Sequence, residues 1–118
     1  MIRKAAEMQM EKREKMRGGP GCVTLFQCFK PEEFGAKIRL CTKLVIPPGS
    51  GIGLHEHSGE DELYYVLKGS GLLDEGSGKG PVSAGDAILT GKGASHSVEN
   101  NGAGDLEILA IIITYPKA

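Results

Sequence analysis

The sequence predicts an all-β domain, built as a sandwich or barrel of about eight or nine short strands. The first indication is glycine: 18 of the 118 residues are glycine, spaced along the chain at intervals that suit turns. The second is the series of short β-prone runs between those glycines. The third is that no segment after residue 20 has the apolar spacing of a long helix. A chain of this length forms one domain.

Composition narrows the range of partners and locations. The formal net charge is −1, which gives no reason to expect a nucleic-acid or membrane partner. No apolar run is long enough to span a membrane, and the N-terminus lacks the apolar core of a signal peptide. The three cysteines, Cys22, Cys28 and Cys41, are odd in number and lack CxxC spacing, which indicates reduced thiols. We therefore expect a cytoplasmic protein.

Residues 1–17 allow three interpretations. The segment is rich in helix-forming residues and could run as a helix to Gly18. As a strand it would place Met8, Met10 and Met16 on one face, but neither face is a convincing core face. The third interpretation is a solvated arm that packs on a neighbour or exchanges between subunits. We therefore divide the chain into an N-terminal arm, 1–20, and a β-domain, 21–118.

The first strands follow the glycine-rich break at 16–21. Val23–Phe29 is a β-prone run, and 30–35 is a loop in which Pro31 suits the first position of a helical turn. Ala36–Ile46 alternates between apolar and polar residues, as in a strand with one wet face. Thr42 is the polar exception on its apolar face, where it lines a pocket or bonds to the backbone.

The remaining strands are separated by further turns. The predicted runs are Ile52–Val66, interrupted by the acids at 60–62, then Leu72–Glu75, Pro81–Ser83, Ala87–Thr90, Ser95–Glu99 and Leu106–Tyr115. Residues 76–80 form a glycine-rich hairpin loop between two of them. The last run is apolar on both faces. We expect the core to bury one face, and an arm or a second subunit to bury the other.

The three histidines of the chain indicate a metal site. His55 and His57 are two residues apart in a predicted strand, so their side chains share a face. A carboxylate and a distant histidine that joined them would give three nitrogens and one oxygen. That ligand set suits a divalent transition metal. The carboxylate is one of three successive acids, Glu60, Asp61 and Glu62, of which Glu62 is favoured by its spacing, and His96 is the remaining histidine.

Two glycine-bounded stretches resemble the paired motifs of the cupin superfamily. The first family motif is glycine, five residues, His-x-His, three or four residues, glutamate, six residues and glycine, and it is matched by Gly49, His55, His57, Glu62 and Gly69. The second is glycine, five residues, Pro-x-Gly, two residues, histidine, three residues and asparagine. It is matched by Gly85, Gly93, His96 and Asn100, with Gly91 in place of the proline. That departure removes no ligand but is expected to loosen the turn.

This resemblance implies a jelly-roll barrel, also called a double-stranded β-helix, with a metal held inside by His55, His57, Glu62 and His96. The metal would be a divalent transition ion, one of Mn, Fe, Ni, Co, Cu or Zn, with no organic cofactor. Small cupins commonly form homodimers, so we expect one here. Tyr64 shares a strand face with Glu62 and is a candidate catalytic residue, although it could equally be a core residue.

Three functions are compatible with these features. The first is a small metalloenzyme that carries out oxygenation, isomerisation or decarboxylation of a small oxygen-bearing substrate at open metal positions. The second is a non-catalytic module in which the metal anchors a small carboxylate or sugar for sensing or storage. The third is a structural barrel without turnover. The sequence does not decide whether the protein is an enzyme, because one fold hosts many chemistries.

Overall fold

The computed structural model describes residues 1–117, which form ten β-strands and three short 3₁₀ turns. The strands are β1 (Gln9–Glu14), β2 (Cys22–Gln27), β3 (Ile38–Ile46), β4 (Gly51–Glu56), β5 (Glu60–Lys68), β6 (Ser70–Asp74), β7 (Lys79–Ser83), β8 (Ala87–Gly91), β9 (Ser95–Glu99) and β10 (Leu106–Thr114). The 3₁₀ turns are Ala5–Glu7, Met16–Gly18 and Pro31–Glu33. The all-β prediction is therefore confirmed.

The strands form two antiparallel sheets. The larger sheet has the order β1-β2-β3-β10-β5-β8, and the smaller one has the order β4-β9-β6-β7. Side chains from both sheets form a single apolar core, in which Ile108 of β10 and Val98 of β9 are almost completely buried. The arrangement matches a jelly-roll barrel. None of the residues 1–117 belongs to a helix long and apolar enough to cross a membrane.

The alternation predicted for β3 is confirmed. Leu44 and Ile46 are buried, whereas Arg39 on the other face is exposed. Thr42 is also buried, and its hydroxyl donates a hydrogen bond of 2.9 Å to the carbonyl oxygen of Phe26. Of the two roles considered for this residue, the structure shows the backbone contact.

The run predicted from Ile52 to Val66 is in fact two strands in different sheets. The break lies at residues 57–59, before the acids that were expected to interrupt the run. Gly59 has a φ of +74°, which only glycine adopts without cost, and this allows the chain to turn between the sheets. The acids belong to β5 because their side chains alternate: Glu62 faces inward and is buried, whereas Asp61 faces outward.

The N-terminal segment contains a strand. β1 pairs antiparallel with β2 of its own chain, from Gln9 opposite Gln27 to Glu14 opposite Cys22. Of the three interpretations, the structure therefore shows the strand for Gln9–Glu14. An edge strand gains its hydrogen bonds from one neighbour and needs no apolar outer face, which explains its polar composition. The division at residue 20 stays a prediction, and Ala118 lies outside the described residues.

The outer face of the larger sheet carries apolar side chains. In β10 the inward side chains are buried as predicted, but those on the other face are only partly covered, and Ile113 is 45% exposed. Within residues 1–117, the N-terminal arm does not cover this face, since β1 lies at the far edge of the sheet beyond β2 and β3. On β8, the edge strand on the other side of β5, Leu89 is 68% exposed.

Candidate metal centre

Four side chains converge inside the barrel. His55 lies in β4, directly opposite His96 of β9 in the antiparallel register. His57 follows the end of β4, where its amide donates to the carbonyl of Ala94 at 2.9 Å. Glu62 enters from β5 of the other sheet. One potential ligand atom from each of these four residues lies within 4.8 Å of all the others.

The contacts between these atoms are short. His57 Nε2 and His96 Nε2 are 3.0 Å apart, and His96 Nε2 and His55 Nε2 are 3.2 Å apart. Glu62 Oε1 is 2.9 Å from the Nε2 atoms of both His57 and His96. Neighbouring ligands at right angles around an ion, each at about 2.1 Å from it, would be about 3.0 Å apart. The four atoms therefore have the spacing of one coordination sphere.

The other nitrogen of each ring is occupied by a supporting contact. His55 Nδ1 donates to the carbonyl oxygen of Gly53 at 2.7 Å, because a carbonyl can only accept. His57 Nδ1 donates to the Glu60 carboxylate at 2.6 Å, and His96 Nδ1 lies 2.8 Å from the hydroxyl of Thr90. For His55 and His57 the proton on Nδ1 leaves Nε2 with a lone pair, the form that binds metals. Burial also lowers the pKa of His55, which favours its neutral ring.

Glu62 provides the test of whether a metal fits here. Glu62 is only 4% exposed, and its Oε1 atom is buried without a hydrogen-bond donor. Such an atom costs free energy unless it has a partner. A divalent cation would satisfy it together with the facing Nε2 atoms of the three histidines. The cluster could therefore hold a divalent metal, in agreement with the expected ligand chemistry.

Glu60 connects this cluster to the surface, and sequence reasoning missed it. The guanidinium of Arg39 binds its carboxylate through two hydrogen bonds of 2.9 Å. This contact, with His57 on the other side, lowers the pKa of Glu60 and keeps it ionised. Strand alternation was the available signal, because Glu60, Glu62 and Tyr64 are each two residues apart and share a face.

Tyr64 lies beside the cluster. Its ring stacks on that of His96, with centroids 4.8 Å apart and an interplanar angle of 20°. Burial, together with the negative charge of Glu62 and a hydrogen bond to its carboxylate, raises the pKa of Tyr64 well above its ordinary value. The phenol therefore keeps its proton at neutral pH. Tyr64 is a core residue that also lines the cavity, and its catalytic role stays a prediction.

A cavity of about 210 Å³ opens onto three of the four cluster residues. This is below the roughly 300–1,000 Å³ of pockets that take drug-sized ligands. Its lining includes His55, His57 and Glu62 at the cluster, and Arg13, Met16 and Arg17 from the N-terminal segment. The last three were not among the predicted site residues. Their sequence had no motif that distinguished them from a solvated arm.

Comparison with known proteins identifies the family. The family model for the cupin domain matches residues 42–112, which include both glycine-bounded motifs. The chain belongs to the cupin family. An oxalate-binding protein of Thermotoga maritima is 42% identical to it over 113 residues, covering 96% of this cupin and 93% of the relative.

Solved structures agree with this assignment. The crystal structure of a predicted oxalate decarboxylase from Thermotoga maritima superposes on this cupin with a TM-score of 0.92 at 42% identity, covering 97% of this chain and 99% of that one. A polyketide cyclase from Streptomyces resistomycificus has a TM-score of 0.74 at 18% identity, over 100% of this chain and 88% of that one. At that identity the likeness concerns the fold alone.

The motif residues outside the cluster have structural roles in this cupin. Asn100 is 1% exposed, and its amide donates to the carbonyls of Ile46 and Gly104, both at 2.8 Å. Gly91 departs from the family proline for a packing reason: an added Cβ would meet the Asp61 carboxylate at 1.8 Å. That carboxylate accepts a hydrogen bond from the hydroxyl of Tyr115, which in turn accepts from the Lys92 amide at 2.9 Å. Hydrogen bonds of the Asp61 and Tyr115 side chains therefore stabilise the turn at Gly91, where the family has proline.

The supporting role of Glu60 predicts a measurable loss. In Glu60→Gln the side chain can still accept from His57, but its charge and its ion pair with Arg39 are lost. We expect metal affinity to fall by roughly 10-fold, at the low end of what loss of such a supporting group costs. Glu56→Gln is the matched control, because Glu56 lies between the two histidines of the motif but is exposed. Metal titration by calorimetry measures the metal affinity of both variants. Equal metal affinities of Glu60→Gln and Glu56→Gln would contradict the supporting role of Glu60.

Proposed function

We propose that this cupin binds a small dicarboxylate of the oxalate type at a divalent metal held by His55, His57, Glu62 and His96. The observation that carries the proposal is the buried, unpartnered oxygen of Glu62 among histidine nitrogens, at the bottom of a small cavity. A cation there would itself attract an anionic ligand. The relative described as an oxalate-binding protein supports this class of ligand.

Cavity size and charge favour the same ligand class. Three arginines, Arg13, Arg17 and Arg39, line the cavity. Among residues 1–117, the one acidic residue in the lining is Glu62, which the metal would neutralise. A small volume and the charge of Arg17, beside the ion-paired Arg13 and Arg39, favour small anions over sugars, which are larger and neutral. One carboxylate of oxalate can occupy the open positions of a metal with four protein ligands, which leaves the other carboxylate free to contact the cavity wall.

The first test is elemental analysis of protein purified without chelator, followed by titration with oxalate. We expect near-stoichiometric Mn, Fe, Ni, Co, Cu or Zn, and oxalate binding that disappears when the metal is removed. Iron or copper would favour oxygen chemistry, and manganese or zinc would favour Lewis-acid chemistry. Protein that contained no metal and took up none on addition would contradict the proposal.

A second candidate function is decarboxylation, favoured by the position of Tyr64. Conversion of oxalate breaks its carbon–carbon bond, releases carbon dioxide, and adds one proton to the remaining carbon to give formate. The Tyr64 hydroxyl holds a proton at the cavity wall beside Glu62. The metal, when bound, would supply Lewis-acid or redox chemistry. Incubation of the metal-loaded protein with oxalate decides between the candidates: formate and carbon dioxide in equal amounts indicate decarboxylation, and unchanged oxalate indicates binding alone.

We further propose a homodimer formed through the outer face of the larger sheet. Leu63 lies opposite Leu89 on one side and Ile111 on the other, and Tyr65 lies opposite Leu109. These five residues, here called the outer apolar face, form two adjacent rows across β8, β5 and β10. A continuous apolar face of this kind is typical of an interface. In a symmetric dimer the same face would be used by both copies.

Three free thiols also support the proposed cytoplasmic location.

The dimer proposal predicts that Leu89→Glu yields monomers. The side chain is exposed, so the substitution should leave the monomer folded, while a charge at the interface would weaken association by roughly 100-fold or more. Leu54→Glu is the matched control, since Leu54 is 59% exposed on the smaller sheet. Sedimentation velocity measures the oligomeric state. A wild type that sediments as a monomer would overturn the proposal.

A further inference from the structure

We infer that Arg17 is the residue that binds the outer carboxylate of a dicarboxylate ligand, the one directed away from the metal centre. This rests on the proposed function, and it adds a specificity-determining residue from outside both motifs. It also gives the N-terminal segment a role in the site.

Arg17 differs from the two other arginines of the cavity wall. Arg39 is held by Glu60 through two hydrogen bonds, and Arg13 is paired with Glu11 at 2.9 Å. Arg17 forms no ion pair or side-chain hydrogen bond within residues 1–117, although it lines the same cavity. Its five N–H donors are therefore available to a ligand. A guanidinium group matches a carboxylate through two parallel hydrogen bonds.

The backbone holds Arg17 in an unusual conformation. Its φ and ψ are 52° and 30°, in the left-handed region, and those of Lys15 are 49° and 44°. Residues other than glycine rarely adopt this region, because their Cβ approaches the following carbonyl oxygen. Backbone hydrogen bonds of 2.9 Å hold the turn, from the amide of Gly18 to Lys15 and from that of Gly19 to Met16. Two such residues in one turn indicate that the surrounding structure fixes its shape.

Glycines allow this turn to lie directly on β4. A Cβ at Gly53 would be 2.1 Å from the carbonyl oxygen of Arg17, and one at Gly19 would be 2.5 Å from that of Gly51. The amide of Gly51 also donates to the carbonyl of Pro20 at 2.9 Å. Gly53 is the residue whose carbonyl accepts from His55 Nδ1. Gly53 therefore packs against the backbone of Arg17 and also accepts the hydrogen bond that orients His55, a proposed metal ligand.

Arg17 lines the cavity that also opens onto His55, His57 and Glu62. A ligand carboxylate between the metal centre and the cavity mouth would therefore lie near its positive charge. A ligand with a methyl group in place of that carboxylate would gain nothing from Arg17. The expected result is selection of dicarboxylates over monocarboxylates.

The experiment compares oxalate with acetate on metal-loaded protein by calorimetry. In Arg17→Gln we expect oxalate affinity to fall by roughly 10- to 100-fold, the usual range for loss of a charge-assisted contact, and acetate affinity to change less than about 3-fold. Arg17→Lys should be intermediate, since it keeps the charge but loses the paired geometry. Lys12→Gln is the control, because it removes the same charge from an exposed position of β1. Metal content should be equal in all four proteins.

The outcomes separate this inference from the proposed function. Equal oxalate affinity in wild type and Arg17→Gln would overturn the inference alone. The same applies if oxalate and acetate weaken equally, or if Arg17→Gln loses its metal, because Arg17 would then act on the metal centre and not on the ligand. Metal-loaded wild type that bound no oxalate would overturn the proposed function and this inference with it. Selective loss of oxalate affinity, with metal retained, would support both.

Discussion

His96→Ala is expected to abolish tight metal binding while leaving the barrel folded. His96 Nε2 is the atom closest to all the others in the cluster, at 3.0 Å from His57 Nε2, 3.2 Å from His55 Nε2 and 2.9 Å from Glu62 Oε1. Its loss removes one of four ligands, and should therefore cost more than the roughly 10- to 100-fold that follows loss of a supporting group. The measurement is metal content after purification without chelator, followed by metal titration.

The control for this variant is Val98→Ala, two residues further along the same face of β9. Both side chains are about 1% exposed, so each substitution leaves a cavity in the core. We expect His96→Ala to lower the free energy of unfolding of the metal-free protein by about 2–4 kcal/mol, as for other large-to-small core substitutions. Val98→Ala should lose stability but keep its metal. Unchanged metal content in His96→Ala would show that the four-ligand arrangement is wrong.

The fold and the cluster could be predicted because they depend on short-range rules. The two-residue spacing of His55 and His57 predicted that their side chains lie together, although the strand ends at Glu56, and glycine turns marked most strand ends. The spacing of the two motifs then selected Glu62 from three successive acids. The bounds of β9 were predicted to the residue, because Ser95–Glu99 lies between two clear turns.

Other features could not be predicted because they depend on contacts between distant segments. β1 has no apolar face of its own and becomes a strand only because the edge of β2 is available. The turn that carries Arg17 depends on close packing against Gly51 and Gly53, about 35 positions later in the chain. Glu60 was ranked below Glu62 on spacing alone, yet its contact with His57 follows from the same strand alternation. The missed residues support or surround the cluster and lie outside its motif.

Glu62→Gln is expected to change stability in opposite directions with and without metal. In the metal-free protein, Glu62 Oε1 is buried without a donor and faces the Nε2 atoms of His57 and His96 at 2.9 Å. A carboxylate oxygen opposite the Nε2 lone pair of His57 is unfavourable. A glutamine amide in the same place can donate to these nitrogens. We therefore expect the metal-free variant to be more stable than wild type by about 1–3 kcal/mol, the cost of an unsatisfied buried group.

Metal should reverse this order. A ligand that binds only the folded state adds about 4.1 kcal/mol of stability when its concentration is 1,000 times Kd. Wild type should gain this amount with its proper ion. Glu62→Gln should gain much less, because an amide oxygen lacks the negative charge that favours a divalent cation. With metal present, wild type should therefore be the more stable protein.

The measurement is the free energy of unfolding in urea, with chelator and with excess metal, at pH 8, where an unperturbed histidine is neutral. Glu99→Gln, an exposed acid on β9, controls for the change in net charge and should follow wild type under both conditions. The expected result is that Glu62→Gln is the more stable protein with chelator and that wild type is the more stable protein with metal. This result would show that the carboxylate destabilises the metal-free protein and stabilises the metal-bound one. If Glu62→Gln were less stable even with chelator, then the carboxylate would have a donor in the folded protein. A cation would then not be needed to satisfy Glu62, although the four atoms would still share one site.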